Sequence, residues 1–391
     1  MTIPTGATDA EEARRVARIA LAHDYATQWG GAERVALVMA AAFPEAPLYT
    51  TLYHPEGTFP EFADVTIRPS RLNRSALLRR NHRLALPLLA PAVSSERIDA
   101  DVLLASSSGW AHGYRGARRT VVYCYTPARW LYFRDRYLSS RPTTVSGWAR
   151  HGLAHGSLRV LGPSLRGWDR RAAGRADKYL ACSTVIRDAI AQHYGINAEV
   201  LSPPPAMLPA GSERPVDGIE PGFLLCVARL LPYKNVDVVM QAVDRLGGPD
   251  LVVVGDGPER ARLADLSNRL QGARIHLLGR VDDDQLRWLY RQTSALLAAS
   301  YEDFGLSPLE ANAFGRPAVA LRAGGFLDSV REAVTGNYFD ELDSSDIAQA
   351  IDRTLRQDWD SAKLQSHADE YGTERFQRRL QEVVAEQFAA V

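Results

Sequence analysis

Between residues 223 and 321 five short apolar runs recur at near-regular intervals, at 223–228, 251–254, 275–278, 295–299 and 318–321. Each is long enough for a strand and too short for a helix. Helix-forming stretches open after them, near Asn235, Pro258, Asp283, Pro308 and Leu327. A strand buried on both faces reads as an unbroken apolar run, and strands that alternate with helices must cross over and pair in parallel. This half of the chain therefore predicts an open, doubly wound parallel sheet. The first half repeats the alternation less evenly, with strands expected at 18–23, 47–53, 101–108, 120–125, 178–183 and 199–202 and helices at 32–39 and 185–194. Pro203-Pro204-Pro205, followed by Pro209, Gly211 and Pro215, is the clearest linker. A chain of 391 residues is long for one domain. The reading is thus two Rossmann-like α/β domains, 1–205 and 206–366.

In such sheets ligands bind beyond the carboxyl ends of the strands. Tyr301-Glu302-Asp303-Phe304-Gly305-Leu306-Ser307-Pro308-Leu309-Glu310 stands at one such end. Ser307 reads as an N-cap and Pro308 as the first helical residue. Backbone N–H groups and the helix dipole there make an anion site, and Glu302 and Glu310 can border it. Carboxylates beside an anion site suit a ligand with phosphates and hydroxyls. After the first strand of this half comes Ala228-Arg229-Leu230-Leu231-Pro232-Tyr233-Lys234-Asn235. The chain has three lysines, Lys178, Lys234 and Lys363, so one at a strand end before a helix is informative. Arg229 and Lys234 could clamp a diphosphate. Near the N-terminus, Gly30-Gly31 between a strand and a helix lets a phosphate approach the backbone. A tight turn is the alternative there.

Composition narrows the class. Residues 1–205 hold 26 basic against 17 acidic side chains, and 206–391 hold 20 against 29, so a net charge of zero conceals two opposite halves. No run approaches the roughly 18 apolar residues of a membrane span. No basic-then-apolar leader precedes the first strand, which suggests the cytoplasm. Cys124, Cys182 and Cys226 lie in apolar runs without metal-ligand spacing and read as buried, reduced thiols. Asp282-Asp283-Asp284 stands at a helix start, where acids cap and match the dipole, and a metal reading is set aside. No acidic residue occurs from Val65 to Ser95, where Leu and Arg interleave between Arg68 and Arg83. That pattern fits an interfacial helix at an anionic inner membrane surface, an ordinary surface helix, or an anionic-acceptor patch. Nucleic acid is not expected, since no aromatic interleaving or known binding module accompanies the charge. Residues 1 to about 15 are expected to fray, and 131–175 to form helices and loops on the acceptor side.

Glu302 and Glu310, with seven residues between them that include Phe304-Gly305-Leu306, resemble the EX7E motif of retaining family 4 glycosyltransferases. His23-Asp24 with Gly30-Gly31-Ala32-Glu33-Arg34-Val35, the Arg229/Lys234 pair, the turns Gly255-Asp256-Gly257 and Ala323-Gly324-Gly325, and Gly336-Asn337-Tyr338-Phe339 resemble the same family. Thr126-Pro127-Ala128-Arg129-Trp130 resembles a segment of a mannosyl-transferring branch in which a histidine precedes the threonine; here Tyr125 stands there. His112 stands where the family usually has lysine, and either supplies the missing imidazole or sits on a loop.

The resemblance implies the GT-B architecture, two Rossmann-like domains facing across a cleft, with the last helix, about 367–391, returning to the first domain. It implies transfer of a hexosyl group from a nucleotide-diphosphate sugar to a hydroxyl acceptor such as a glycan, lipid-linked sugar or small-molecule glycoside, with retention. GDP-mannose is the first donor to consider. Arg229 and Lys234 would hold the diphosphate, Glu310 the ribose, Glu302 the sugar hydroxyls, and the Phe304-Gly305-Leu306 backbone the sugar and phosphate. Gly30, Gly31, Gly255 and Val281 complete the donor set, while His112, Tyr125 and Arg129 are the acceptor-side candidates. Neither a cofactor nor a metal is expected. The other reading is a GT-B protein that binds a nucleotide sugar as a regulatory or scaffold subunit without transferring it. An epimerase or phosphorylase on this architecture has no feature in its favour.

Overall fold

The computed structural model describes residues 17–133 and 161–391. The expectations for residues 1 to about 15, and for the part of 131–175 between 134 and 160, lie outside the described residues. Thirteen strands are named among the described residues: β1 (Ile19–His23), β2 (Leu48–Thr50), β3 (Ile67–Pro69), β4 (Val102–Ser107), β5 (Arg119–Cys124), β6 (Lys178–Ala181), β7 (Glu199–Val200), β8 (Leu224–Val227), β9 (Leu251–Val254), β10 (Ile275–Gly279), β11 (Ala295–Ala298), β12 (Ala318–Leu321) and β13 (Gly336–Phe339). They build a seven-stranded sheet in the order β3-β2-β1-β4-β5-β6-β7 and a six-stranded sheet in the order β10-β9-β8-β11-β12-β13. In the first, β1 pairs in parallel with β2 (Leu21 opposite Leu48) and with β4 (Ile19 opposite Val102). In the second, β8 pairs in parallel with β9 and β11, and β12 with β13. Two Rossmann-like parallel sheets make this the GT-B fold. Of the described residues, 17–123, 161–179 and 379–391 form one compact unit, and 124–133 with 180–378 form the other.

The second sheet is covered on its faces because its helices present narrow apolar stripes. In the helix Val236–Leu246, Val236, Val239, Met240 and Val243 are buried at helical spacing, and Gly247 ends it in the left-handed conformation at φ 71°. The strands β9, β11, β12 and β13 are buried along their whole length. Trimming one such side chain, Leu251 for example, costs about 2–5 kcal/mol. Asp282 caps the helix Asp283–Gln292 by accepting from the Gln285 N–H at 3.0 Å, so the aspartate triplet is a helix start. Within the first unit Gln381 Nε2 donates to the Ala42 carbonyl (2.9 Å) and Arg119 Nη2 to the Ala390 carbonyl (2.6 Å).

Two local expectations fail. The helix after β11 runs Leu306–Ala313 and begins two residues before the expected Pro308; Gly305 is its N-cap, and Ser307 lies inside the first turn. The chain needs φ 89° at position 305, and a Cβ there would strike the buried Phe326 ring, so a glycine takes the cap position. The Leu/Arg segment from Arg68 is no continuous interfacial helix. It breaks into the turns Arg71–Arg74 and His82–Ala85 and the five-residue helix Ala76–Arg80, before the helix Leu86–Ser95. Ser70 and Ser75 cap successive turns with their hydroxyls and restart the chain each time.

Candidate functional site

β8 lies between β9 and β11, where the strand order of the second sheet reverses. Loops leaving β8 and β11 depart from that switch point, the ligand-binding place of open α/β sheets. The β8 loop is held tightly. The Leu231 N–H donates to the Arg229 carbonyl (2.7 Å), Pro232–Lys234 make a single 3-10 turn, and Asn235 in the left-handed conformation donates from Nδ2 to the Ala299 carbonyl (2.7 Å). That last bond fastens the β8 loop to the end of β11. As a result Lys234 Nζ lies 2.5 Å from Glu302 Oε1, and the Ser300 hydroxyl donates to the same oxygen. The two side chains are 15% and 23% exposed. Burial disfavours both charges, yet the attraction prevails: Lys234 holds its proton above the ordinary lysine range, and Glu302 is held below the ordinary carboxylate range by Lys234, Ser300 and Arg129.

Arg229 is exposed, lies close enough to oppose the Lys234 charge, and forms no ion pair with a described residue. A second cation beside an already satisfied Lys–Glu pair is an arrangement suited to a multiply charged anion. Glu310 is anchored separately. Tyr290 donates its hydroxyl to Oε2 at 2.6 Å, and the Ala206 and Met207 N–H groups donate to Oε1 at 3.3 Å. Burial and then Glu310 raise Tyr290 well above its ordinary value, so the phenol stays a donor. Cys226 lies within electrostatic reach of both Lys234 and Tyr290. Burial pushes its thiol up to about 12.

Between the glutamates the backbone is interlocked. The Gly325 N–H donates to the Glu302 carbonyl (2.8 Å), and a Cβ at Gly325 would collide with the Phe304 backbone. Phe304 is buried, while Leu306 opens the helix Leu306–Ala313, whose first N–H groups receive no side-chain cap. Uncapped N–H groups at a helix start are anion donors. Gly255, at φ 130°, packs on the Ala228 carbonyl beside Arg229, and the half-buried Val281 follows β10 at the same sheet edge.

Arg129 joins this unit through Asp303, with Nη2 at 2.6 Å from Oδ2. Tyr125 is buried, and its carbonyl accepts from Cys182 Sγ at 3.3 Å. The remaining candidates belong to the other unit. Gly30 is the N-cap of the helix Gly31–Ala42, with Glu33 buried in its first turn. His112 is neither exposed nor on a free loop. It is 4% exposed, with Nδ1 at 3.0 Å from the Ser107 hydroxyl and Nε2 at 3.1 Å from Asp169 Oδ1. The serine–histidine–aspartate sequence of contacts has the outline of a nucleophilic triad, and all three side chains are buried. His112 lies in the loop that Asp24 holds by accepting from the N–H groups of Ser108, Trp110 and Ala111 at 2.6–3.0 Å.

Three participants escaped sequence reasoning: Ser300, Asp303 and Tyr290. Asp303 stands inside the recognised string and could have been chosen from it. Tyr290 lies in an unremarkable helix and gives no local signal. Among the described residues no group of His, Cys, Asp and Glu could hold a metal ion, and no helix is long and apolar enough to cross a membrane.

Residues 29–204 match the model of Glycosyltransferase Family 4, and residues 213–375 match that of Glycosyl transferases group 1. Each half of the chain thus matches a glycosyltransferase domain model. A 138-residue stretch, 33% of the chain, is 35% identical to a D-inositol 3-phosphate glycosyltransferase of Mycobacterium bovis and spans 28% of that protein's length. The fold matches Anabaena Alr3699/HepE, solved in complex with UDP-glucose, with a TM-score of 0.64 at 17% identity over 94% of this chain and 99% of that one. It also matches sucrose-phosphate synthase of Thermosynechococcus elongatus, with a TM-score of 0.67 at 17% identity over 96% of this chain and 100% of that one.

Proposed function

We propose that this protein is a glycosyltransferase that transfers a hexosyl group from a nucleotide-diphosphate sugar to a hydroxyl acceptor with retention of configuration. The observation that carries this reading is the Lys234–Glu302 pair at the switch point, with the exposed Arg229 beside it. In the reaction the bond between the anomeric carbon and the diphosphate oxygen breaks, and negative charge develops on that oxygen. Arg229 and Lys234 neutralise it where it forms, which is electrostatic stabilisation of the transition state. The uncapped N–H groups at Leu306 and after would take the phosphate, Glu302 the sugar hydroxyls and Glu310 the ribose. Retention follows from the resemblance to retaining family members, in which the departing oxygen takes the acceptor's proton. With two fixed cations on the diphosphate, turnover should survive chelation of divalent metals.

UDP-sugars and GDP-mannose are the donors to compare, since one structural neighbour is solved with UDP-glucose and the Thr126–Trp130 segment resembles a mannosyl-transferring branch. Release of nucleoside diphosphate from each donor, with and without simple glycoside acceptors, tests the reading. A non-catalytic binding subunit would retain the nucleotide and release none. The arginines of 68–83 leave anionic lipid open as the acceptor's setting. Co-sedimentation with phosphatidylglycerol vesicles, lost when Arg79 and Arg80 are neutralised, is the expected result.

A further inference from the structure

We propose that the Arg129–Asp303 ion pair is a positioning device for Glu302, fixing the loop that carries this carboxylate through the residue next to it. The role rests on the transferase reading above. Consecutive residues of the loop face different partners. Glu302 is gripped by Lys234 and Ser300. Asp303 is gripped by Arg129 through its carboxylate and by the Ser183 hydroxyl, which donates to its carbonyl at 2.5 Å. The Arg129 and Asp303 side chains are only 30% and 13% exposed, so water screens this pair less than a surface bridge.

A second tie runs in parallel. Thr184 donates from its N–H and its hydroxyl to Asp328, both at 2.7 Å. Asp328 lies three residues after Gly325, whose N–H donates to the Glu302 carbonyl. The segments after β5 and β6, which supply Arg129, Ser183 and Thr184, therefore hold both loops that shape the Glu302 site. Ser183 is itself fixed, because its hydroxyl accepts from the Ile186 N–H as the cap of the helix Thr184–Tyr194. Arg129 also acts electrostatically on Glu302, so its placement sets the field there as well as the loop.

A group that orients Glu302 without touching the donor should change the chemical step more than donor binding. Arg129→Gln and Asp303→Asn are each expected to lower kcat by roughly 10- to 100-fold, the scale of a misplaced reacting group. The donor KM should stay within about threefold, and Asp303→Glu should recover most of the loss. Hydrogen exchange of the peptide 300–306 should accelerate by about fivefold or more in the two disruptive variants, with exchange in the helix Val236–Leu246 unchanged. Wild-type kcat in both variants, a KM rise that accounts for the whole effect, or unchanged exchange at 300–306 overturns the proposal. If the wild-type protein turns over none of the nucleotide sugars, the transferase reading fails, and the exchange measurement still decides the tie by itself.

Discussion

Lys234 Nζ meets Glu302 Oε1 at 2.5 Å across 68 positions of sequence, at the point where the second sheet changes winding direction. Two charges that burial alone would suppress are kept ionised by each other. Removing one strands the other. Lys234→Ala and Arg229→Ala are each expected to cost about 2–4 kcal/mol in kcat/KM, the scale of removing one oxyanion donor. Steady-state kinetics with the best donor checks this, and values within about tenfold of wild type in both variants would refute the clamp.

Stability should fall on mild acidification. Burial lowers His23 and His367 below the ordinary histidine value, so both are carried neutral. The unfolded chain takes up their protons at about pH 6.5 and the folded chain only at lower pH, so stability declines as pH drops below that value. Glu302, held low, adds a further loss below about pH 4.5, where the unfolded carboxylate begins to protonate first. Lys234, held high, contributes stability that is lost only on the alkaline side as pH rises through its raised value. Urea midpoints from pH 7 to pH 5 should fall steadily. His367→Gln, which can still donate to the Ser329 carbonyl, should flatten part of the slope.

The thiols should be silent in the native state. Cys124, Cys182 and Cys226 are all buried and unpaired with one another, and burial raises Cys182 and Cys226. A thiol reagent added to native protein should label none of them at neutral pH and all three after unfolding. Rapid native labelling of Cys226, which neighbours Lys234, would mean that the donor end of the sheet opens.

Gly325→Ala should damage both folding and turnover. Its Cβ would press on the Phe304 backbone, and the Glu302 carbonyl bond at 2.8 Å would have to give. Overpacking of this kind costs about 1–3 kcal/mol. Thermal melting should show the loss, and kcat should fall with it because the displaced loop carries Glu302.

Periodicity was enough for the second sheet. The runs at 251–254 and 318–321 are observed strands to the residue, because a strand buried on both faces has no polar position to blur its ends. Starts of elements were harder. Ser307-Pro308 has the chemistry of a helix opening, yet tertiary contact with Phe326 forces a left-handed glycine two residues earlier. The arginine-rich segment has the amphipathic composition of one helix, but the serine hydroxyls at 70 and 75 each cap the start of a new short turn, so no single helix runs through it. Side-chain partners were the least legible. Nothing local to Tyr290 says that it anchors Glu310, and nothing near His112 says that Asp169 closes over it.

The grip of Arg229 and Lys234 on a diphosphate is tested most directly by calorimetric titration of UDP and GDP, each beside its nucleoside, into wild type, Arg229→Ala and Lys234→Ala. Each substitution should weaken nucleoside diphosphate binding by roughly 10- to 100-fold, the worth of one charge-assisted contact, and leave nucleoside binding unchanged. Equal diphosphate affinities in all three proteins would contradict it.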